Sequence, residues 1–361
     1  MVRSSKVLLL ALLGAALAVE GCGDASAGPE GDVPTNVVGN SDPTSPTDGQ
    51  ADAATGNVSP SQPDAGSPQQ PQSPTQPIRF VAMGDTGTGA NDQFKVGNAV
   101  ASVCKTRGCD FVQLLGDNIY ESGASSVDDP IFQTHFEIPY AAIDLDFWVV
   151  LGNHDYGHAG AGTDFPKGQH EIDYTAKSKK WKLPSAYWHK SFTSSSASVE
   201  IFGLDTNKAM FGLDAQQRVD VSAWLAASTA EWKIAMGHHP YKSNGPHGNA
   251  GSYDAILGVS VPPVNGRGVK EYLEEAICGN VDLYLSGHDH SRQWLNESCM
   301  GTELAVSGAG AKATKLDGKN PTLFESLELG FLYIVIDGKK LTAEFIDENG
   351  TTEFSHTMVK P

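Results

Sequence analysis

Short apolar runs alternate with amphipathic stretches from residue 78 onward. The runs that we interpret as strands cover residues 78–83, 111–115, 147–151, 186–193, 199–205, 232–236 and 281–286. Helical periodicity lies between several of them, at 93–106, 130–142, 215–227 and 269–278. This order predicts parallel strands joined by right-handed crossovers. Residues 304–358 alternate like antiparallel strands, with Asp337-Gly338 as a hairpin turn.

Five of the strand-like runs end in a polar loop that contains a glycine. The loops are Gly-Asp-Thr-Gly at 84–87, Gly-Asp-Asn-Ile-Tyr at 116–120, Gly-Asn-His-Asp at 152–155, Gly-His-His-Pro at 237–240 and Gly-His-Asp-His at 287–290. Loops at the carboxyl ends of parallel strands are where α/β proteins place their chemistry. Glycine allows a sharp turn or a close approach without a Cβ clash. We therefore expect the five loops to form one site.

The side chains in these loops have the character of metal ligands. The candidates are Asp85, Asp117, Tyr120, Asn153, His238, His288 and His290. Hard oxygen donors combined with imidazoles, and no thiolate, suit iron, zinc or manganese. Seven ligands exceed what one metal needs, so we predict two metals that share a bridging carboxylate. Two metals about 3.5–4 Å apart can clamp both the attacking and the leaving oxygen of a phosphoryl displacement.

The five motifs resemble those of the calcineurin-like metallophosphoesterases, and specifically the small, tartrate-resistant type of purple acid phosphatase. Tyr120 in Gly-Asp-x-x-Tyr is the mark of the purple branch, in which the tyrosine binds iron(III) and gives the colour. The resemblance runs from about residue 78 to residue 310 and includes the stretches at 132–137 and 307–310. It implies an α/β fold, a four-layer αββα sandwich with two mixed central sheets.

The resemblance also implies a role for each ligand. Asp85, Tyr120 and His290 would bind iron(III), Asn153, His238 and His288 would bind iron(II), zinc or manganese, and Asp117 would bridge the two. A metal-bound hydroxide would attack phosphorus. His154 would assist substrate binding and protonate the leaving alkoxide.

Other polar residues near the motifs match the family pattern only in part or lie beside it. His247 matches the position of a second substrate-side histidine, although the local sequence Gly-Pro-His-Gly differs. His239 follows a ligand where an aromatic or small residue is commoner, so it is either an outer-sphere group or a competitor for the ligand role. Tyr156 and His158 are expected at the substrate rim.

The implied activity is that of an acid phosphatase that acts on phosphate monoesters. A phosphodiesterase on the same scaffold is the alternative, because neither the metals nor the fold set the number of ester bonds. A binding or adhesion module is a third hypothesis, which the complete ligand set opposes. We expect a monomer whose partner is a small phosphate ester.

The chain before residue 78 has a different composition. Residues 1–22 have a basic start and the apolar run 7–19, which predicts a secretory signal peptide. Gly21-Cys22 resembles a bacterial lipobox, so Cys22 is a candidate lipidation site; ordinary signal cleavage is the alternative. Residues 23–77 contain ten of the 20 prolines and no aromatic residue, which predicts a disordered linker. Residues 78–361 form the predicted catalytic domain.

These features predict an exported protein, either a lipoprotein of a bacterial cell envelope or a secreted form. Its membrane contact would be the lipid on Cys22 alone. The net charge of −18 argues against a nucleic-acid partner, since phosphate neutralisation needs clustered lysine and arginine.

Four cysteines remain in the predicted domain. An even number of cysteines in an exported protein indicates two disulfides. Sequence alone allows three pairings. We favour the local one, Cys104 with Cys109 and Cys278 with Cys299.

Overall fold

A computed structural model describes residues 76–254 and 261–361. The predicted signal peptide, Cys22 and the predicted linker up to residue 75 lie outside the described residues, so the proposed domain division stays a prediction. Within the described ranges, none of the helices combines the length and the apolar character that a membrane crossing requires.

The strands and helices follow one another in a regular order. The strands are β1 (Ile78–Met83), β2 (Phe111–Leu115), β3 (Asp146–Val150), β4 (Trp181–Lys182), β5 (Trp188–Thr193), β6 (Ser198–Gly203), β7 (Trp232–Met236), β8 (Leu283–Ser286), β9 (Arg292–Leu295), β10 (Glu303–Ser307), β11 (Thr322–Ser326), β12 (Gly330–Asp337), β13 (Lys340–Asp347) and β14 (Thr352–Val359). The α-helices are α1 (Asn91–Arg107), α2 (Lys167–Tyr174), α3 (Thr206–Met210), α4 (Ala215–Ala227) and α5 (Arg267–Tyr272). Short π-helical turns lie at Gln133–Glu137 and Leu273–Ile277, and a 3-10 turn at His158–Gly160.

The strands form two sheets of seven. The first sheet has the order β14-β13-β12-β1-β2-β3-β4, and the second has the order β11-β9-β10-β8-β7-β6-β5. Strands β1 to β4 pair in parallel, whereas β12 pairs antiparallel with both β1 and β13. In the second sheet β6, β7, β8 and β10 are parallel, and β5 and β9 run antiparallel to their neighbours. Both sheets are mixed, as predicted.

Alternating side chains of the second sheet enter two separate buried clusters. Ile201 and Ile234 belong to the cluster that includes the strands of the first sheet, while their neighbours Phe202 and Ala235 belong to a cluster with α3, α4 and α5. Because successive strand side chains point to opposite faces, the second sheet packs on the first sheet with one face and on helices with the other. Helix α1 adds Val96 to the cluster of the first sheet. This layering confirms the predicted sandwich.

The chain departs from the predicted elements in a few places. The helix predicted at 130–142 is reduced to turns around Gln133–Glu137, because Pro139 has no N–H and its ring clashes with the preceding turn. No helix was predicted in the stretch 156–181, which contains α2. Helix α3 was not predicted either; there the Asp205 side chain accepts a hydrogen bond from the Lys208 backbone N–H at 2.9 Å and caps the helix.

Both disulfides have the favoured local pairing. Cys104 pairs with Cys109 and ties the end of α1 to the segment before β2. Cys278 pairs with Cys299 and joins the segments that precede β8 and β10. The hairpin turn between β12 and β13 lies at Gly338, whose φ is 56°.

Candidate dinuclear metal centre

The five polar loops meet where the carboxyl ends of β1, β2, β3, β7 and β8 converge. Backbone hydrogen bonds tie the loops to one another. The Asp85 N–H donates to the Gly116 carbonyl at 3.0 Å within the first sheet, and the Gly287 N–H donates to the His238 carbonyl at 3.0 Å within the second. The two sheets are joined by the Gly84 N–H, which donates to the Ser307 carbonyl at 2.7 Å. These backbone hydrogen bonds alone hold the loops next to one another.

Asp85, Tyr120 and His290 form one compact group. The Tyr120 hydroxyl donates to Asp85 Oδ1 at 3.0 Å and lies 3.2 Å from His290 Nε2. His290 Nε2 is 3.5 Å from the same Asp85 oxygen. Three potential ligand atoms from three different loops therefore lie within 3.5 Å of one another.

Asn153, His238 and His288 form a second group beside the first. His238 Nε2 lies 2.9 Å from Asn153 Oδ1 and 3.1 Å from His288 Nδ1. Hydrogen bonds at the other nitrogen of His238 and at the amide nitrogen of Asn153 set the orientation of these two side chains. His238 Nδ1 donates to the Leu115 carbonyl at 2.9 Å, which directs Nε2 toward the group. Asn153 Nδ2 donates to the Gly160 carbonyl at 2.9 Å, which turns the amide oxygen inward. Such outer contacts are typical of metal ligands.

Asp117 lies beside both groups. Its Oδ1 is 3.3 Å from His238 Nε2 and accepts a hydrogen bond from the His154 backbone N–H at 2.9 Å. One ligand atom from each of Asp85, Asp117 and His238 lies within 4.8 Å of the others, and all three residues are buried. The position of Asp117 fits a shared ligand. We call the seven residues Asp85, Asp117, Tyr120, Asn153, His238, His288 and His290 the metal cluster.

Two glycines allow this close packing. A Cβ on Gly152 would lie 2.2 Å from Asp117 Oδ1, and a Cβ on Gly287 would lie 2.5 Å from Asp85 Oδ2. The positive φ angles fall mainly on the ligand residues themselves, with 59° at Asp85, 53° at Asp117 and 70° at His288. Two roles were predicted for the glycines of these loops, a sharp turn or a close approach. The structure shows that close approach is the main reason for Gly152 and Gly287.

The electrostatics of the metal cluster favour a bound cation. Burial, reinforced by Asp117, raises the pKa of Asp85 to about 8. Burial alone would also raise the pKa of Asp117, but the charges and hydrogen bonds of His238 and His154 hold it below its usual value. Burial lowers the pKa of His238, and the Asp117 and Asp85 carboxylates outweigh it and raise that pKa to about 9. A proton on Asp85 and a proton on His238, next to Asp117, therefore balance the two buried carboxylates. A metal cation could take the place of these protons.

The remaining ligand histidines are in the form that metals bind. Burial, with help from Lys312 and the other histidines, lowers the pKa of His290 to about 4. Burial and the neighbouring histidines hold the pKa of His288 well below its usual value. Neutral imidazoles present a lone pair to a metal. The donor set, its burial and its protonation state thus fit two hard or borderline metal ions.

The two predicted catalytic histidines flank the metal cluster. His154 Nδ1 donates to the Glu121 carbonyl at 2.7 Å, so His154 Nε2 is directed elsewhere and lies 3.9 Å from Asp117 Oδ2. The ring of His247 lies 4.0 Å from the ring of His288. His247 Nδ1 is 2.8 Å from Asp254 Oδ1. The structure therefore places both histidines beside the ligands.

The other nearby residues differ in their positions. His239 is buried, with Nδ1 at 2.9 Å from the Thr206 hydroxyl and its ring 4.5 Å from that of His288. Its position is that of an outer-sphere group. Tyr156, expected at the substrate rim, is buried instead, and its hydroxyl donates to Asp205 at 2.5 Å. His158 is exposed, with Nδ1 at 2.8 Å from the Thr163 hydroxyl, and its place at the substrate rim stays a prediction.

Asp155 organises the centre, although no role was predicted for it. Its Oδ2 accepts hydrogen bonds from the Gly152 N–H at 2.7 Å and from Asn118 Nδ2 at 2.9 Å. Its Oδ1 accepts from the backbone N–H groups of Asn118 at 2.9 Å and Ile119 at 3.0 Å. Asp155 thereby fixes the loop after β2 to the loop after β3. Its place directly after His154 was the available signal.

Glu121 and Lys312 were also missed, and both lie at the opening of the centre. Lys312 Nζ is 3.4 Å from the centroid of the Tyr120 ring and 3.2 Å from Glu121 Oε1. Glu121 Oε2 lies 3.6 Å from His154 Nδ1. Glu121 is adjacent to a motif, but nothing in the sequence around Lys312 indicates its proximity. We call Glu121, His154, His247 and Lys312 the rim.

Comparison with known proteins agrees with this geometry. A family model described as calcineurin-like phosphoesterase matches residues 78–292. The tartrate-resistant acid phosphatase type 5 of Sus scrofa is 30% identical over 319 residues, covering 78% of this chain and 86% of that protein. The purple acid phosphatase 4 of Arabidopsis thaliana is 28% identical over 316 residues, covering 79% and 84%.

Two solved structures share the fold. One is GAP50, the anchor in the inner membrane complex of Plasmodium, with a TM-score of 0.64, 19% identity and coverage of 79% of this chain and 90% of that chain. The other is the purple acid phosphatase PPD1 from yellow lupin, with a TM-score of 0.57, 16% identity and coverage of 79% and 54%.

The fold and the site together define a metal-dependent phosphoesterase. The chain belongs to the calcineurin-like phosphoesterase family, in its purple acid phosphatase branch.

Proposed function

We propose that this protein is an acid phosphatase that hydrolyses phosphate monoesters at a dinuclear metal centre. The observation that carries the proposal is the convergence of seven ligand-type side chains from five strand ends, in the two groups that the family pattern implies. The similarity to acid phosphatases over most of the chain supports the same activity.

The two groups suit different metals. Iron(III) would be held by Asp85, Tyr120 and His290. Burial and the carboxylates of Asp117 and Asp85 raise the pKa of Tyr120 well above its usual value. A highly charged cation is therefore needed to bind this side chain as a phenolate. Asn153, His238 and His288 would hold iron(II), zinc or manganese. Asp117 would be shared. When bound, the metals supply charge neutralisation for the phosphoryl group and a nucleophile at acidic or neutral pH.

The protein's own contribution to the reaction comes from the rim. The hydrogen bond from His154 Nδ1 to the Glu121 carbonyl fixes the ring and leaves Nε2 toward Asp117. A proton on His154 Nε2 can stabilise a phosphoryl oxygen or pass to the leaving oxygen. His247, held by Asp254 and next to His288, can contact the substrate from the other side.

Hydrolysis of p-nitrophenyl phosphate and bis-(p-nitrophenyl) phosphate by the metal-loaded protein tests the proposal. We expect turnover of the monoester to exceed turnover of the diester, and we expect chelation to abolish both. Preferential hydrolysis of the diester would instead support the phosphodiesterase alternative. A protein that holds two metals and hydrolyses neither ester would contradict the proposal.

We further propose that the protein is exported and anchored through Cys22. The support is the signal-like sequence of residues 1–22 and the presence of two disulfides, which persist in oxidising compartments. Expression of the full chain in bacteria with labelled palmitate, beside Cys22→Ser, tests this proposal. Label on the wild type and none on the variant is the expected result; an unlabelled, membrane-free wild type would favour secretion.

A further inference from the structure

Lys312 is the one rim residue that brings a permanent positive charge to the opening of the centre. It lies in the segment between β10 and β11, and this segment approaches the metal cluster only through the tertiary fold. Its ammonium lies 3.4 Å from the centroid of the Tyr120 ring. Lys312 is thus next to Tyr120, a predicted ligand of one of the two metals.

We propose that Lys312 is a specificity-determining residue that binds a non-bridging oxygen of a phosphate monoester dianion and so favours monoesters over diesters. The inference rests on the proposed function and names the charge class of its substrate. A monoester dianion carries about two negative charges above its second pKa of about 6. A diester carries one charge and has one oxygen fewer available. An added ammonium therefore stabilises the monoester more than the diester.

The ion pair of Lys312 with Glu121 leaves the ammonium available. The Nζ–Oε1 distance is 3.2 Å, but the Glu121 side chain is 65% exposed and that of Lys312 30% exposed. Ion pairs this accessible to solvent contribute little to stability. A phosphate beside the metals can compete for Lys312 with Glu121. The cation–π contact with the Tyr120 ring keeps the ammonium beside a predicted ligand, where it can exchange Glu121 for a phosphate oxygen.

Glu121 acts in the opposite sense. Its carboxylate lies 3.2 Å from Lys312 Nζ and 3.6 Å from His154 Nδ1, the two rim groups nearest to it that we propose to contact the phosphate. A negative charge at this position repels an incoming dianion and competes for Lys312. Removing the charge of Lys312 should therefore weaken phosphate binding, and removing the charge of Glu121 should strengthen it.

The first experiment measures the affinity of the metal-loaded protein for inorganic phosphate above pH 6.5, by titration calorimetry and by competitive inhibition. Lys312→Met should weaken phosphate binding by about tenfold, as expected for a lost charge-assisted hydrogen bond. Glu121→Gln should tighten binding about two- to threefold, and Lys312→Arg should stay within about threefold of the wild type, because the first change removes a repulsive charge and the second keeps the attractive one. Lys315→Met is the matched control: Lys315 lies three residues away, is 73% exposed and pairs with Asp317.

The second experiment compares kcat/KM for the two nitrophenyl esters. For Lys312→Met we expect a decrease of about tenfold for the monoester and less than about threefold for the diester. Metal content and thermal unfolding of each variant show whether the centre and the fold are intact. If Lys312→Met does not fold, the tighter phosphate binding expected of Glu121→Gln and the near-wild-type binding expected of Lys312→Arg still test the proposal.

Several outcomes would overturn the inference. They are phosphate affinity of Lys312→Met within twofold of wild type, equal losses for monoester and diester, an equal effect of Lys315→Met, or weaker phosphate binding in Glu121→Gln. A wild type that binds two metals but does not hydrolyse the monoester would contradict the proposed function. In that case the phosphate titrations would still decide whether Lys312 binds the anion.

Discussion

The metal cluster and the rim are adjacent, yet they are built in different ways. Asp85, Asp117 and His238 are almost completely buried, and each is held by backbone hydrogen bonds or by another ligand. Glu121 and Lys312 are partly exposed and contact each other through long side chains. Burial makes the metal cluster intolerant of change, because an unpaired buried charge has no solvent to stabilise it. Exposure leaves the rim free to vary with the substrate.

Replacement of Asp117 by asparagine tests this contrast most strongly. Because Asp117 is the predicted shared ligand, Asp117→Asn should lose at least one metal per chain and reduce kcat at least about 10³-fold, the upper range for loss of one electrostatic stabiliser. Elemental analysis and phosphatase assays measure both effects. Asp128→Asn, at a side chain that is 74% exposed, should leave both within about twofold. Two metals and activity within tenfold in Asp117→Asn would remove Asp117 from the bridging position.

Replacement of His154 by alanine should separate chemistry from metal binding. We expect kcat to fall by about 10²-fold with the metal content unchanged, at the lower end of the range for a general acid. The loss should be larger for alkyl phosphates than for p-nitrophenyl phosphate, because a poor leaving group depends more on protonation. His189→Ala, on β5 and paired with Glu200, is the control. Equal losses for all leaving groups would limit His154 to substrate binding.

Replacement of Tyr120 by phenylalanine should change the spectrum more than the rate. A tyrosinate–iron(III) charge-transfer band in the wild type should vanish in Tyr120→Phe. We expect activity to fall on the order of tenfold, since Asp85 and His290 still hold the metal. Tyr187→Phe, whose hydroxyl bonds Asp220 far from the cluster, should keep the band. A metal-loaded wild type without the band would favour a zinc or manganese centre.

Removal of the disulfides should affect stability and leave both regions of the site intact. Cys278 and Cys299 are 21 positions apart and Cys104 and Cys109 only five, so the first pair closes the longer loop. Loop-closure entropy predicts a loss of about 3 kcal/mol for the double alanine variant of the first pair and about 2 kcal/mol for the second. Denaturant unfolding measures the difference. A change in the monoester to diester ratio in either variant would show that the disulfide also shapes the rim.

The sequence predicted the elements that carry local signals. The strands at 78–83, 111–115 and 232–236 agree with β1, β2 and β7, because a buried strand is a short apolar run bounded by turn residues. Helix α3 was missed because its five residues have no room for helical periodicity. The segment 130–142 was overestimated because its apolar spacing outweighed Pro139 in the interpretation.

Two parts of the site depended on different information. The ligand set was predicted because each ligand belongs to a short motif at the end of a strand. Asp155 was overlooked because its role lies in the four hydrogen bonds it accepts, and residue type does not show acceptance by a particular N–H. Tyr156 was expected at the rim and is buried, since adjacent loop residues can face opposite sides.

The sequence alone determined which chemistry is available: seven hard or borderline ligands, five strand ends, four cysteines for two disulfides and the family that the motifs resemble. Only the tertiary structure decided how these parts meet. Lys312 is 192 positions from Tyr120 in the chain, and their contact exists because β10 and β2 belong to two sheets that pack face to face. Motifs reflect the local requirements of the backbone. Contacts between sheets depend on packing, which many distant residues determine together. The ligands were therefore predictable from the chain, whereas the positions of Glu121 and Lys312 at the rim were not.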